Sequence, residues 1–157
     1  MLELLFTGYY GRFLLGILLS IGAGFLIGAE RELRGKDAGV RTQALVSAGA
    51  MLFTFISTLA DTTDKIRIAA NIVTGVGFLG AGIILKAQTG HVHNLTTAAS
   101  IWASAAIGMA FGFSFYFVGI VGTVFVLFIS WIPNIRRKEP RLKTYYNEDG
   151  AARLIDI

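Results

Sequence analysis

The sequence predicts an all-α fold: a polytopic bundle of about five transmembrane helices, N-terminus outside and C-terminus cytoplasmic. Three observations predict it. Of 157 residues, 54% are hydrophobic and 15% charged, whereas a soluble domain carries about 25% charged residues, and the mean hydropathy is +0.64. Long stretches are almost free of charge and match the roughly 17 to 25 residues a spanning helix needs. Basic residues gather on alternate connections, which sets the sidedness of a membrane protein.

The first span runs from Phe13 to Ala29, the second from Gln43 to Ala60 and the third from Ile68 to Leu85. Ala98 to Ile132 is a 35-residue stretch without charge, too long for one span and enough for two short ones. The turn between them is expected around Gly112, Phe113 and Ser114, the least helical place in the run. No basic residue precedes the first span until Arg12, and the strong positive charge follows it. That reads as a retained anchor rather than a signal peptide.

Eleven of the 14 Lys and Arg fall on one face if the spans alternate: Arg31, Arg34, Lys36, Arg41, Lys86 and six residues beyond position 135. Arg12, Lys65 and Arg67 fall on the other. The positive-inside rule therefore gives the stated orientation. Residues 1–135 read as a membrane domain and 136–157 as a basic cytoplasmic tail, or the stub of a regulatory domain. The net charge of +4 flanks apolar runs instead of forming a stripe, so it points to the lipid bilayer and not to nucleic acid.

Small residues carry helix contacts in lipid. They form i, i+4 ladders at Gly16, Ser20, Gly24 and Gly28 and at Ser100, Ser104, Gly108 and Gly112. Both stripes are expected to be buried within the bundle or between subunits of a homo-oligomer. The third span holds Gly75, Gly77, Gly80 and Gly82, which match G-x-G-x-x-G. The strand, helix start and acidic residue a dinucleotide site requires are missing, so these glycines read as a packing face or as a helix break that bares carbonyls. Asn71 and Thr74, one turn apart in the same span, read as hydrogen-bonding groups between helices or as ion ligands. His91 and His93 form an H-x-H without the further ligands of a zinc site, which leaves a metal unassigned. With no cysteine and no catalytic constellation, the chain reads as a non-enzyme with no catalytic residue and no cofactor.

Seven charges alternate in sign between Glu30 and Thr42. Such a segment is a solvated topology-setting loop or a polar site at the membrane face. Glu30 and Arg41 each abut a span, and their pairing is expected there, with Arg31 and Arg34 competing. Glu30 and Arg34 also stand at i, i+4 if the helix continues.

Three blocks resemble the MgtC/SapB family of bacterial membrane proteins: GAERELRGKDAGVRTQALVSAGAMLFT from Gly28, RIAANIVTGVGFLGAGIIL from Arg67 and LTTAASIWASAAIGMAFG from Leu95. The resemblance implies a multi-pass protein of the bacterial inner membrane. It implies a link to magnesium homeostasis, to adaptation to low magnesium and acid, and to virulence. It further implies action by contact on other membrane proteins such as ATP synthase; magnesium or other cation transport is the alternative. The motif positions it carries over are Glu30, Arg31, Arg34, Gly35, Asp37, Gly39, Arg41 and Thr42, then Gly75, Gly77, Gly80 and Gly82, then Thr96, Thr97 and Trp102. The chain departs from the virulence-associated branch in having no cysteine, and from many members in stopping short of a further cytoplasmic domain.

Overall fold

A computed structural model describes residues 8–59, 65–85, 94–132, 142–146 and 152–156. Among these residues five helices follow one another: α1 (Tyr9–Leu33), α2 (Val40–Leu59), α3 (Lys65–Leu85), α4 (Leu95–Gly112) and α5 (Tyr116–Trp131). The first four are long and apolar enough to cross a membrane; α5 is a shorter apolar helix of 16 residues. At 1.5 Å per residue it is about 24 Å long. Helix α1 extends past its charge-free stretch, and its last turn carries Glu30, Arg31 and Glu32. In the tail, the backbone of Leu142–Tyr146 (β1) pairs antiparallel with Ala152–Asp156 (β2), Leu142 opposite Asp156.

The break inside the long apolar run falls where the sequence suggested. Helix α4 stops at Gly112, and Ser114 takes a left-handed φ of 63°. The amide of Ser114 donates to the Phe111 carbonyl at 3.0 Å and that of Phe115 to Ala110 at 2.8 Å. This pair of bonds closes a Schellman motif. The same motif ends α1, where Gly35 (φ 63°) donates to Glu32 at 3.0 Å and Lys36 to Arg31 at 2.9 Å.

The bundle centres on α1, α2 and α4. Ala23, Ile27, Met51, Ile107 and Phe111 form its apolar core, and Phe13 meets Phe55 with ring centroids 5.2 Å apart. Both small-residue ladders are buried there. A Cβ on Gly24 would lie 2.5 Å from Ala44 Cα and 2.6 Å from the Gln43 carbonyl oxygen. On Gly28 it would meet Val40 N at 2.6 Å, and on Gly112 the Met51 carbonyl oxygen at 2.7 Å. Helix α2 thus runs antiparallel to α1 and parallel to α4, backbone against backbone on both sides. Gly119 gives α5 a similar seat against the Phe111 ring.

Helix α3 is different. Only 6% of its membrane-length window is buried, against 50% for α4. A Cβ on Gly75, Gly77 or Gly82 would find nothing within 4 Å, and on Gly80 only Ala98 Cβ at 3.6 Å. Among the described residues the expected packing face is therefore not used, apart from Gly80, and the helix is unbroken.

Candidate functional site

The charged segment folds around Arg31. Its residue lies one turn beyond Gly28 on the same face of α1, so the side chain enters the α1–α2–α4 junction and is 1% exposed. Its Nε donates to the carbonyls of Asp37 (2.9 Å) and Ala38 (3.2 Å). Its Nη2 donates to the Asp37 carbonyl at 2.6 Å and to Thr97 Oγ1 on α4 at 2.7 Å. One guanidinium thereby ties the end of α1, the connection 34–39 and the start of α4. Arginine suits this role because its planar fork presents several fixed donors at once. Hydrogen bonds to a charged group contribute roughly 1.5–3 kcal/mol each, and more is lost if the partners are left bare.

Neighbouring residues complete the connection. Glu32 Oε1 accepts from the Val40 amide at 2.9 Å, capping the first turn of α2, where a carboxylate also meets the positive end of the helix dipole. A Cβ on Gly39 would meet the Glu32 side chain, its Cδ lying at 2.6 Å, so a larger residue there would push Glu32 from its capping position. Ala38 sits at φ 58°, a left-handed conformation that exposes its carbonyl to Arg31.

Glu30 pairs with Arg34, Nε to Oε1 at 2.6 Å, although neither carboxylate oxygen has a well-aligned hydrogen-bond donor. It is a charge contact rather than a directed bond. Arg34 Nη1 also donates to the Ser130 carbonyl at 2.8 Å, joining α1 to the end of α5. The expected pairing of Glu30 with Arg41 does not form. Arg41 is exposed, because it lies two residues before the buried Gln43 and so about 200° around α2.

Gln43 was not anticipated as a site residue. Fully buried, its Nε2 donates to Ser100 Oγ at 2.9 Å and to the Ala38 carbonyl at 3.2 Å. Its Oε1 accepts from Ser104 Oγ at 2.6 Å, and Ser100 Oγ donates to the Thr97 carbonyl at 2.8 Å. The two ladder serines are hydrogen-bonding groups as well as small ones. An amide in an apolar run, four residues before Ser47 on the packing face, was the available signal.

Of the other expected site residues, the structure brings Thr97 and Gly39 into this cluster and Gly35 into its turn. Asp37 contributes its carbonyl while its side chain is exposed. Thr42, Thr96 and Trp102 are exposed and stand apart from it. Asn71, Thr74 and the α3 glycines lie elsewhere; Thr74 Oγ1 only reaches back to the Ala70 carbonyl at 3.4 Å. His91 and His93 lie outside the described residues, among which no three His, Asp or Glu side chains converge.

A family model described as "MgtC family" matches residues 17–137. The chain is 39% identical over 146 residues to an uncharacterized protein of Haemophilus influenzae, covering 83% of this chain and 61% of that one. It is 44% identical over 127 residues (75% and 59%) to YhiD of Escherichia coli strain K12, named as a candidate magnesium transporter. It is 42% identical over 115 residues (73% and 49%) to MgtC of Salmonella typhimurium. The chain thus spans about half to three-fifths of these relatives. No solved structure matches.

Proposed function

Because the chain belongs to the MgtC family, we propose that it is a non-enzymatic regulator in the bacterial inner membrane that acts by contact on other membrane proteins, ATP synthase among them, in magnesium homeostasis and in adaptation to low magnesium or acid. Its N-terminus lies outside and its C-terminus in the cytoplasm, in keeping with the 11-to-3 distribution of basic residues. The observation that carries this reading is the Arg31 cluster. Its buried donors are used to hold the backbone of the connection and the Thr97 hydroxyl, which leaves a fixed connection with Asp37 and Arg41 turned outward. A rigid charged surface suits recognition, because little ordering entropy is lost on contact.

The name of the Escherichia coli relative favours a second reading, magnesium transport. Magnesium is held by carboxylates and retained waters. Among the described residues, the most buried carboxylate, Glu30, stands at the end of α1 beside Arg34. The helix backbones around the polar cluster touch at Gly24, Gly28 and Gly108. Both features weigh against a route through that junction.

Charge reversal at the outward positions tests the contact reading. In a bacterium lacking its own copy, Arg41→Glu or Asp37→Lys should restore growth at low magnesium less well than the unaltered chain. Membrane abundance should stay the same, since surface changes of this kind cost within about 0.5 kcal/mol. Full growth with both variants would reduce the segment to a topology determinant.

A further inference from the structure

Between α2 and α3 lies a groove of about 530 Å³, within the size range of ligand pockets. Its floor is small and apolar, with Gly49, Ala50 and Gly75 between Leu45, Val76 and Leu79. One polar side chain lines it, Asn71. Among the described residues the Asn71 amide makes no hydrogen bond, and it is exposed along a membrane-length helix. Hydrocarbon chains cannot satisfy an amide.

The order of chemistry along α3 is informative. Arg67 is exposed and lies about 6 Å along the axis from Asn71, at 1.5 Å per residue. That step matches the roughly 5–7 Å of headgroup region on each side of a bilayer. From Asn71 the apolar groove continues to Leu79, a further ~12 Å, inside the ~15 Å of hydrocarbon in one leaflet. A cation, an amide and an apolar trough therefore follow one another with depth.

We propose that this groove is a binding site for a single anionic phospholipid, with its phosphate toward Arg67, an ester carbonyl on the Asn71 amide and an acyl chain in the trough over Gly75 and Gly49. Phosphate, ester and hydrocarbon occur in a phospholipid in that order and at those depths. A partner helix would need a polar group level with Asn71 and a cation-binding group one turn away. The lipid needs no special arrangement.

Native mass spectrometry of the full chain tests this, after reconstitution in vesicles of phosphatidylglycerol and phosphatidylethanolamine and extraction in mild detergent. The unaltered chain should keep one phosphatidylglycerol that survives stripping of the surrounding lipid. Gly75→Trp fills the trough from α3 and Gly49→Phe from α2, and either should lose that lipid. Gly77→Trp should keep it, since Gly77 also faces open space but lies off the groove. Asn71→Leu should weaken retention several-fold, and Arg67→Gln should remove the preference for phosphatidylglycerol. Equal retention in the unaltered and groove-filled chains overturns the proposal. So does a lipid-free dimer that Gly75→Trp abolishes, which would assign the groove to a second copy.

Discussion

Arg31→Ala is expected to destabilise the protein strongly, because each buried acceptor left without its donor costs roughly 1–3 kcal/mol. The carbonyls of Asp37 and Ala38 and the hydroxyl of Thr97 would lose their donor together. They lie at a junction where Arg31 is almost wholly buried, so water would not readily replace it. Arg31→Lys keeps the charge but presents one ammonium in place of a planar fork. It should therefore recover part of the loss, because it cannot reach the connection and α4 in the same geometry. Thermal unfolding in detergent measures the stability, and proteolysis within residues 34–39 reports release of the connection. Arg41→Ala is the matched control, an arginine of the same segment that faces outward, and should change neither. An Arg31→Ala protein as stable as the unaltered chain would mean that these bonds do not hold the segment.

Gly108→Leu should be more damaging still. Gly108 faces the Ser47 backbone so closely that even a methyl group would collide with it. Backbone cannot move aside as a side-chain tip can, so α4 must separate from α2. That separation would also break the Gln43 bonds to Ser100 and Ser104. Overpacking alone costs roughly 1–3 kcal/mol, and the lost bonds of a buried amide add about 1–3 kcal/mol more. The expected result is loss of monodisperse protein on size-exclusion chromatography, with Gly24→Leu behaving alike. Gly82→Leu, on the open side of α3, should accumulate normally. Normal accumulation of Gly108→Leu would show that the α2–α4 contact is not close-packed.

Much of this architecture was legible in the residues. Charge-free length located the helices, and even the turn at Gly112 to Ser114 followed from one apolar run being too long for a single span. The ladders at Gly16–Gly28 and Ser100–Gly112 identified the packed faces, because a spacing of four keeps small residues on one side of a helix. Extending the first ladder by three residues reaches Arg31, the centre of the polar cluster. Adjacency to a span suggested Glu30 and Arg41 instead, but adjacency says nothing about the direction of a side chain. The α3 glycines misled for a related reason. At about 100° per residue, Gly75 and Gly82 point one way and Gly77 and Gly80 roughly the other, so they cannot form a single packing stripe. The Gln43 network required tertiary contact to see, since its partners are 57 and 61 residues away.

Magnesium flux into liposomes bears most directly on whether the chain is a regulator or a conduit. The purified full chain would be reconstituted at known density around a trapped magnesium-sensitive dye, with a membrane potential imposed. Regulation by contact predicts influx equal to that of protein-free vesicles. Influx that rises with protein density and saturates with magnesium would contradict it and assign the chain to transport.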